Sequence, residues 1–254
     1  MILDVLGRVL STNGLITAFV FVGALVWVSY YISNSLTRGR VHGSAIAIAF
    51  GLMVAWYGGL STGGSRGIAD ISLLAGVGTM GGAMFRDFAI VATAFGADLR
   101  TLRKAGLVAA MSIVIGVLLS FVVGASVAIL FGYTDPVAVT TIGAGAATYI
   151  VGPVTGTALG ASSDVIALSV AAGLTKSVLV MILTPFIAPR IGLNNPHSAL
   201  IYGGLMGTTS GVAGGLAATD PKLVPYGAMT ATFYTGVGCL LAPSLLYLAV
   251  QAIL

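Results

Sequence analysis

Residues 105–132 run for 28 positions without a charged side chain, and residues 226–254 run for 29. No motif in the chain constrains the fold as strongly. Wound as an α-helix at 1.5 Å per residue, either run exceeds the roughly 30 Å of hydrocarbon in a bilayer, which about 20 apolar residues cross. In that layer backbone N–H and C=O groups find no water, so only helices and closed barrels span it. Charged residues are 7% of the chain and apolar residues 57%, so the same conclusion extends along its length. The chain reads as an all-α polytopic membrane protein forming a single domain over 1–254.

Apolar windows bounded by charge or turn residues fall near 14–34, 41–61, 105–132, 164–189 and 225–252. A further window, 68–97, is irregular. Gly76, Gly78, Gly81 and Gly82 open it and Arg86-Asp87 lie inside it, so a broken helix is expected there. Residues 1–12 are expected as a short interfacial helix with Asp4 and Arg8 on its polar side. The run 14–33 is longer than a signal-peptide core and lacks a convincing cleavage site, so no signal peptide is expected. The lone Cys239 excludes an internal disulfide. The net charge of +4 comes from short loops facing the lipid surface, and nucleic-acid binding is not expected.

Two glycine-rich stretches that also carry hydroxyls, 143–160 and 203–219, interrupt the apolar pattern. Their cores are Gly152-Pro153-Val154-Thr155-Gly156-Thr157-Ala158 and Gly207-Thr208-Thr209-Ser210-Gly211-Val212-Ala213. Close packing through small residues accounts for many glycines in membrane helices but not for the proline beside them. A backbone that leaves the helix inside a bilayer survives only against protein or a hydrated cavity, and paired interruptions mark the binding site of a transporter. Thr134-Asp135-Pro136 and Thr219-Asp220-Pro221 both read as helix starts, the aspartate capping and proline at the first helical position. Tyr-Gly-Gly-Leu occurs at 57–60 and 202–205. These matches leave a diverged internal repeat and chance both open.

The basic loop with Arg100, Arg103 and Lys104 is expected on the cytoplasmic side, together with Arg38 and Arg40; Arg8 and Arg66 then lie outside. If 137–160 crosses as a broken helix, Arg190 is outside and there are about eight transmembrane segments. If it enters and returns, Arg190 is inside and six spans accompany two re-entrant loops. A segment of this length ordinarily crosses, and that version is preferred, although the other places one more arginine inside.

Lys176 sits 12 residues after Asp164 and 12 before Ala188, roughly 18 Å from either helix end and too deep to reach the interface comfortably. An intramembrane lysine calls for an anionic partner, either Asp87 in a structural ion pair or an anionic substrate. Arg86 offers a planar fork for a carboxylate, with Asp87 tuning it or helping to hold a cation; alternatively the helix ends near Arg86, which then lies at the interface. At the breaks, free N–H groups at helix starts suit a carboxylate, and Thr155, Gly156, Thr208, Thr209 and Ser210 are the candidate substrate contacts beside Lys176 and Arg86. Unwound carbonyls and hydroxyls suit a small hard cation, for which Gly152, Thr157, Gly207, Gly211 and Asp87 are the candidates. Asp164 and Asp220 read as caps, and His42 and His197 as solvated loop residues. With no glutamate and no histidine within a span, the chain lacks the usual proton-relay groups, which favours sodium over protons. No metal-ligand pair of the H-E-x-x-H type is present and no histidine is placed to activate a serine, so an enzyme is not expected and no cofactor is implied.

The runs 147–158, 204–215 and 225–232 together resemble the MadM family, the larger membrane subunit of a two-component malonate:cation symporter, and the resemblance covers essentially the whole chain. It implies uptake of malonate, a dicarboxylate, with sodium or protons across a bacterial inner membrane, alongside a smaller integral membrane subunit, MadL-like. A weaker likeness is to LrgB and CidB, through Phe88-Ala89-Ile90-Val91-Ala92 leading to the basic loop, the break around 148–155, and the motifs near 207–210 and 227–229. That likeness implies, as the alternative, a holin-type pore or lysis modulator, or a transporter of another small carboxylate. A general pore would have little use for a lysine inside a span.

Overall fold

The computed structural model describes residues 2–39, 41–64, 67–80 and 99–254. The chain is an all-α polytopic membrane protein, and the described residues contain five helices long and apolar enough to cross a bilayer. It divides into two compact units, residues 1–91 and 92–254. The broken helix expected across 76–87 and the residues Gly81, Gly82, Arg86 and Asp87 lie mostly or wholly outside the described residues.

In the first unit, helix α1 (Ile2–Thr12) leads through Asn13 into the span α2 (Gly14–Leu36), and α3 (Gly43–Thr62) packs beside it. Arg8 on α1 is exposed. Short 3-10 turns follow at Gly67–Asp70 and Ser72–Leu74, then a single helical turn, α4 (Gly76–Thr79). His42 is not the solvated loop residue expected from its position. Its ring accepts a hydrogen bond from the backbone N–H of Ser44 and so caps α3, and its edge meets Tyr30 at 5.2 Å between ring centroids. Half-burial there pushes its pKa down. His197 is exposed, at the start of a helix.

The second unit alternates long helices with short pairs. The long helices are α5 (Leu99–Leu130), α8 (Ser163–Ile187) and α11 (Val224–Leu241), the last continued by a π-helical turn (Ala242–Leu246) and α12 (Tyr247–Ile253). The π turn contains Pro243, which has no N–H for the regular ladder, so the helix widens there and continues. Between the long helices lie two pairs, α6 (Pro136–Ala147) with α7 (Val151–Leu159), and α9 (Pro196–Met206) with α10 (Thr209–Ala217). The first arm of each pair starts on a cap followed by proline. Asp135 accepts from the N–H of Ala138, and Asn195 from that of Ser198 in a reciprocal capping box. The second Asp-Pro, Asp220-Pro221, opens the 3-10 turn before α11, with Asp220 accepting from the N–H of Lys222. After the first pair the cap is Ser162 rather than Asp164, which lies in the first turn of α8.

Both interruptions occur where expected, but the first segment does not run straight through as preferred. A Cβ placed on Gly152 would lie 2.9 Å from Cα of Gly145, and one on Gly156 would lie 2.8 Å from Cγ2 of Thr141. Contacts pairing 145 with 152 and 141 with 156 are those of antiparallel arms, so α6 and α7 form a hairpin whose tip is 148–150. The second pair folds back as well. Gly227 packs against both Val212 and the carbonyl of Ala199, which in an uninterrupted helix would stand about 20 Å apart. One span, α8, separates the hairpins, so they enter from opposite faces of the membrane. With Arg100 cytoplasmic, the version that places Arg190 inside is the one this geometry supports.

Candidate functional site

The two tips meet on the middle of α8. At the first tip α6 ends on Thr148, whose hydroxyl accepts from the N–H of Ile150, and α7 begins at Val151. Gly173 of α8 lies directly under this tip, where a Cβ would overlap the N–H of Tyr149 and the carbonyl of Gly145. At the second tip Gly207 adopts a left-handed φ of 69° against the ring of Tyr234, which leaves no room for a side chain. Thr208 then caps α10, its hydroxyl accepting from the N–H of Gly211 and sharing a short hydrogen bond with Ser177. Residues 173–177 of a single helix therefore hold both tips.

Lys176 lies between them, half-buried, 13 residues after Ser163 and 11 before Ile187. Its ammonium donates to the hydroxyl of Ser120 at 2.8 Å, to the carbonyl of Ala147 at 2.9 Å and to the hydroxyl of Tyr234 at 3.4 Å, and it stands 5.1 Å from the centroid of that ring. Tyr234 is fully buried and donates in turn to the carbonyl of Gly116. Ala147 is the last residue of α6, so the cation rests on the electronegative end of a helix. Ser120 is midway between Gly116, which packs on Gly204 and Leu205 of the second hairpin, and Gly124, which packs on Gly143 and Ala146 of the first. Among the described residues no carboxylate pairs with Lys176. Its partners among those residues are all neutral: Ser120 and Tyr234 come from the spans α5 and α11, and Ala147 from the first arm of a hairpin. Beside the lysine, an apolar cavity of about 550 Å³ runs along α8 past Leu179 and Leu183, walled by Val127 of α5 and Met206 of α9.

Beyond Lys176, the candidates from the sequence separate into four groups. Gly207, Thr208 and Gly211 are buried at the second tip, with Thr209 and Ser210 partly exposed in the first turn of α10. Gly152, Thr155 and Gly156 lie inside the first hairpin and its packing against α8: Gly152 meets Ser169, Gly156 meets Ile166, and Thr155 is fully buried. Thr157 faces outward and is exposed, two residues and about 200° round the helix from Thr155. Arg86 and Asp87 lie outside the described residues. Sequence reasoning missed Ser120, Tyr234, Ser177 and the Ala147 carbonyl. Only Ser177 carried a local signal, its place next to the lysine.

Neutral oxygens surround the tips, and no cluster of three or more acidic, histidine or cysteine side chains that would hold a divalent metal occurs among the described residues. Such oxygens suit a monovalent cation, and a fixed ammonium suits an anion. Residues 6–254 match the sequence model of the family MadM, described as the malonate/sodium symporter MadM subunit. No curated protein and no solved structure matches the chain.

Proposed function

We propose, for a chain that belongs to the MadM family of malonate/sodium symporter subunits, that it binds malonate between the two hairpin tips and carries it with sodium by alternating access. Lys176 is the observation that supports this most directly. Its ammonium lies deep in the membrane domain among neutral acceptors, with no carboxylate from the described residues to neutralise it. A carboxylate of the substrate fills that role, and the hydroxyls of Ser120 and Tyr234 are in reach to orient it.

In this reading Arg86 serves the second carboxylate. The N–H groups opening α7 and α10 add partial positive charge, with Thr208, Thr209 and Ser210 completing the substrate contacts. Sodium is carried as cargo on carbonyl and hydroxyl oxygens near the tips, Gly152, Gly207 and Gly211 included, and Asp87 is a further ligand. Hairpins entering from opposite faces give each side of the membrane its own gate. The chain works with a smaller, MadL-like integral membrane subunit in a bacterial inner membrane, as one transport domain without enzymatic activity or a bound cofactor.

The test is uptake of radiolabelled malonate into proteoliposomes, with and without the small subunit, under imposed sodium or proton gradients. Sodium-driven accumulation is expected. Uptake indifferent to both gradients would sink the reading.

A further inference from the structure

Two hydroxyls in the first hairpin are fully buried and have no hydrogen-bond partner among the described residues: Thr140 Oγ1 on α6 and Thr155 Oγ1 on α7. Threonines in helices commonly donate to the carbonyl four residues back, as Thr141 does to Val137. Thr140 and Thr155 do not, and an orphaned buried hydroxyl is costly to keep.

Their positions are related. Ala144 and Val151, one from each arm, form one apolar cluster with Ala242, and Cys239 and Leu246 pack against it. Thr140 stands four residues before Ala144 and Thr155 four after Val151. Because the arms are antiparallel, both threonines lie one turn further toward the hairpin mouth on the same face. Both arms also pack against the π turn Ala242–Leu246. A π turn departs from the regular backbone ladder, and such turns are frequent at functional sites.

We infer that Thr140, Thr155 and the π turn form a buried site for a dehydrated monovalent cation, sodium in this transporter, separate from the anion site at Lys176. The oxygens at hand are two neutral hydroxyls, and neither arm nor the π turn contains an acidic residue, which suits a single positive charge rather than a divalent ion. Thr140 precedes Ala147, the carbonyl partner of Lys176, by seven residues, about 10 Å along α6. Binding a dianion at Lys176 lowers the charge at that distance by two, so substrate strengthens cation binding and, by linkage, the cation strengthens substrate binding. The inference rests on the symporter reading and adds to it a second sodium site, nearer the hairpin mouth than the sodium contacts proposed at the tips.

The experiment compares Thr140→Val, Thr155→Val, Thr140→Ser and Thr155→Ser with wild type. The readouts are the half-saturating sodium for malonate uptake in proteoliposomes and the sodium-induced rise in Tm of the purified full chain, with choline as the ionic-strength control. Each valine variant is expected to raise half-saturating sodium at least about tenfold and to lose the sodium-specific Tm rise, while the serine variants keep both. In wild type, malonate is expected to increase the Tm response to sodium. A wild-type sodium response in the valine variants, or equal loss in the serine variants, would overturn the site while leaving the symporter standing. Wild-type uptake that ignores sodium would overturn both.

Discussion

Lys176 Nζ donates to the carbonyl of Ala147 across 2.9 Å, so the ammonium of one span rests on the C-terminal end of the helix that forms the inbound arm of the first hairpin. Anything that draws the lysine away frees that carbonyl and loosens the hold on the tip. With the substrate bound at Lys176 as proposed, its charge and the position of the hairpin are linked through one side chain.

Replacing Lys176 by methionine keeps the unbranched chain up to the ε position and removes the charged group. Hydrogen bonds made by charged groups contribute about 2 kcal/mol each. Uptake of malonate at low substrate concentration should fall about 30-fold or more, with insertion and monodispersity in detergent unchanged. Wild-type uptake rates would remove Lys176 from the site.

The re-entrant geometry makes a labelling prediction. In a Cys239→Ala background, single cysteines at Thr134 and Ser163 should react with a membrane-impermeant maleimide from one face. Cysteines at Asn194 and Lys222 should react from the other. Opposite-face labelling of 134 and 163 would mean that the first segment crosses after all.

Glycines under the tips differ from those on the lipid face. Gly173→Ala would force a Cβ into the backbone of Tyr149, and overpacking of this kind costs about 1–3 kcal/mol. Gly236, exposed on α11 with nothing near it, should instead gain about 0.5–1 kcal/mol on mutation to alanine. Thermal unfolding of the two variants in detergent should therefore move in opposite directions.

The Ser177–Thr208 hydrogen bond ties the second tip to α8. A double-mutant cycle with Ser177→Ala and Thr208→Val should give a coupling of about 1 kcal/mol in stability. Strictly additive effects would show that the contact contributes no net stability.

His42 supplies a pH dependence confined to the first unit. Burial lowers its pKa, so the folded state prefers the neutral ring that accepts from Ser44. That contribution is fully present above the ordinary histidine value of about 6.5 and is lost as pH falls through the lower folded value. His42→Asn, which retains a capping acceptor, should flatten the acid limb of a Tm-against-pH curve measured between pH 5 and 8.

Charge-free runs announce the spans, and Pro153 and the glycines announce the breaks at the correct places. What hydropathy cannot tell is whether a 12-residue and a 9-residue helix continue in line or turn back. Both arrangements have the same composition, and the deciding contacts, Gly145 on Gly152 and Thr141 on Gly156, are specific to a hairpin. Lys176 was legible because a charge deep in a span is rare. Its partners were not, because Ser120 and Tyr234 lie 56 and 58 positions away and are unremarkable within their own helices. Thr157 was chosen by proximity to Thr155, and the helical turn carries it to the opposite side.

With one span between hairpins that enter from opposite faces, Lys176 stands about 20 Å from one end of α8 and about 17 Å from the other. A ligand held there is almost equally close to either compartment. Such a carrier has no preferred direction of its own: the same protein should empty malonate-loaded vesicles as readily as it fills them, once the sodium gradient is turned around.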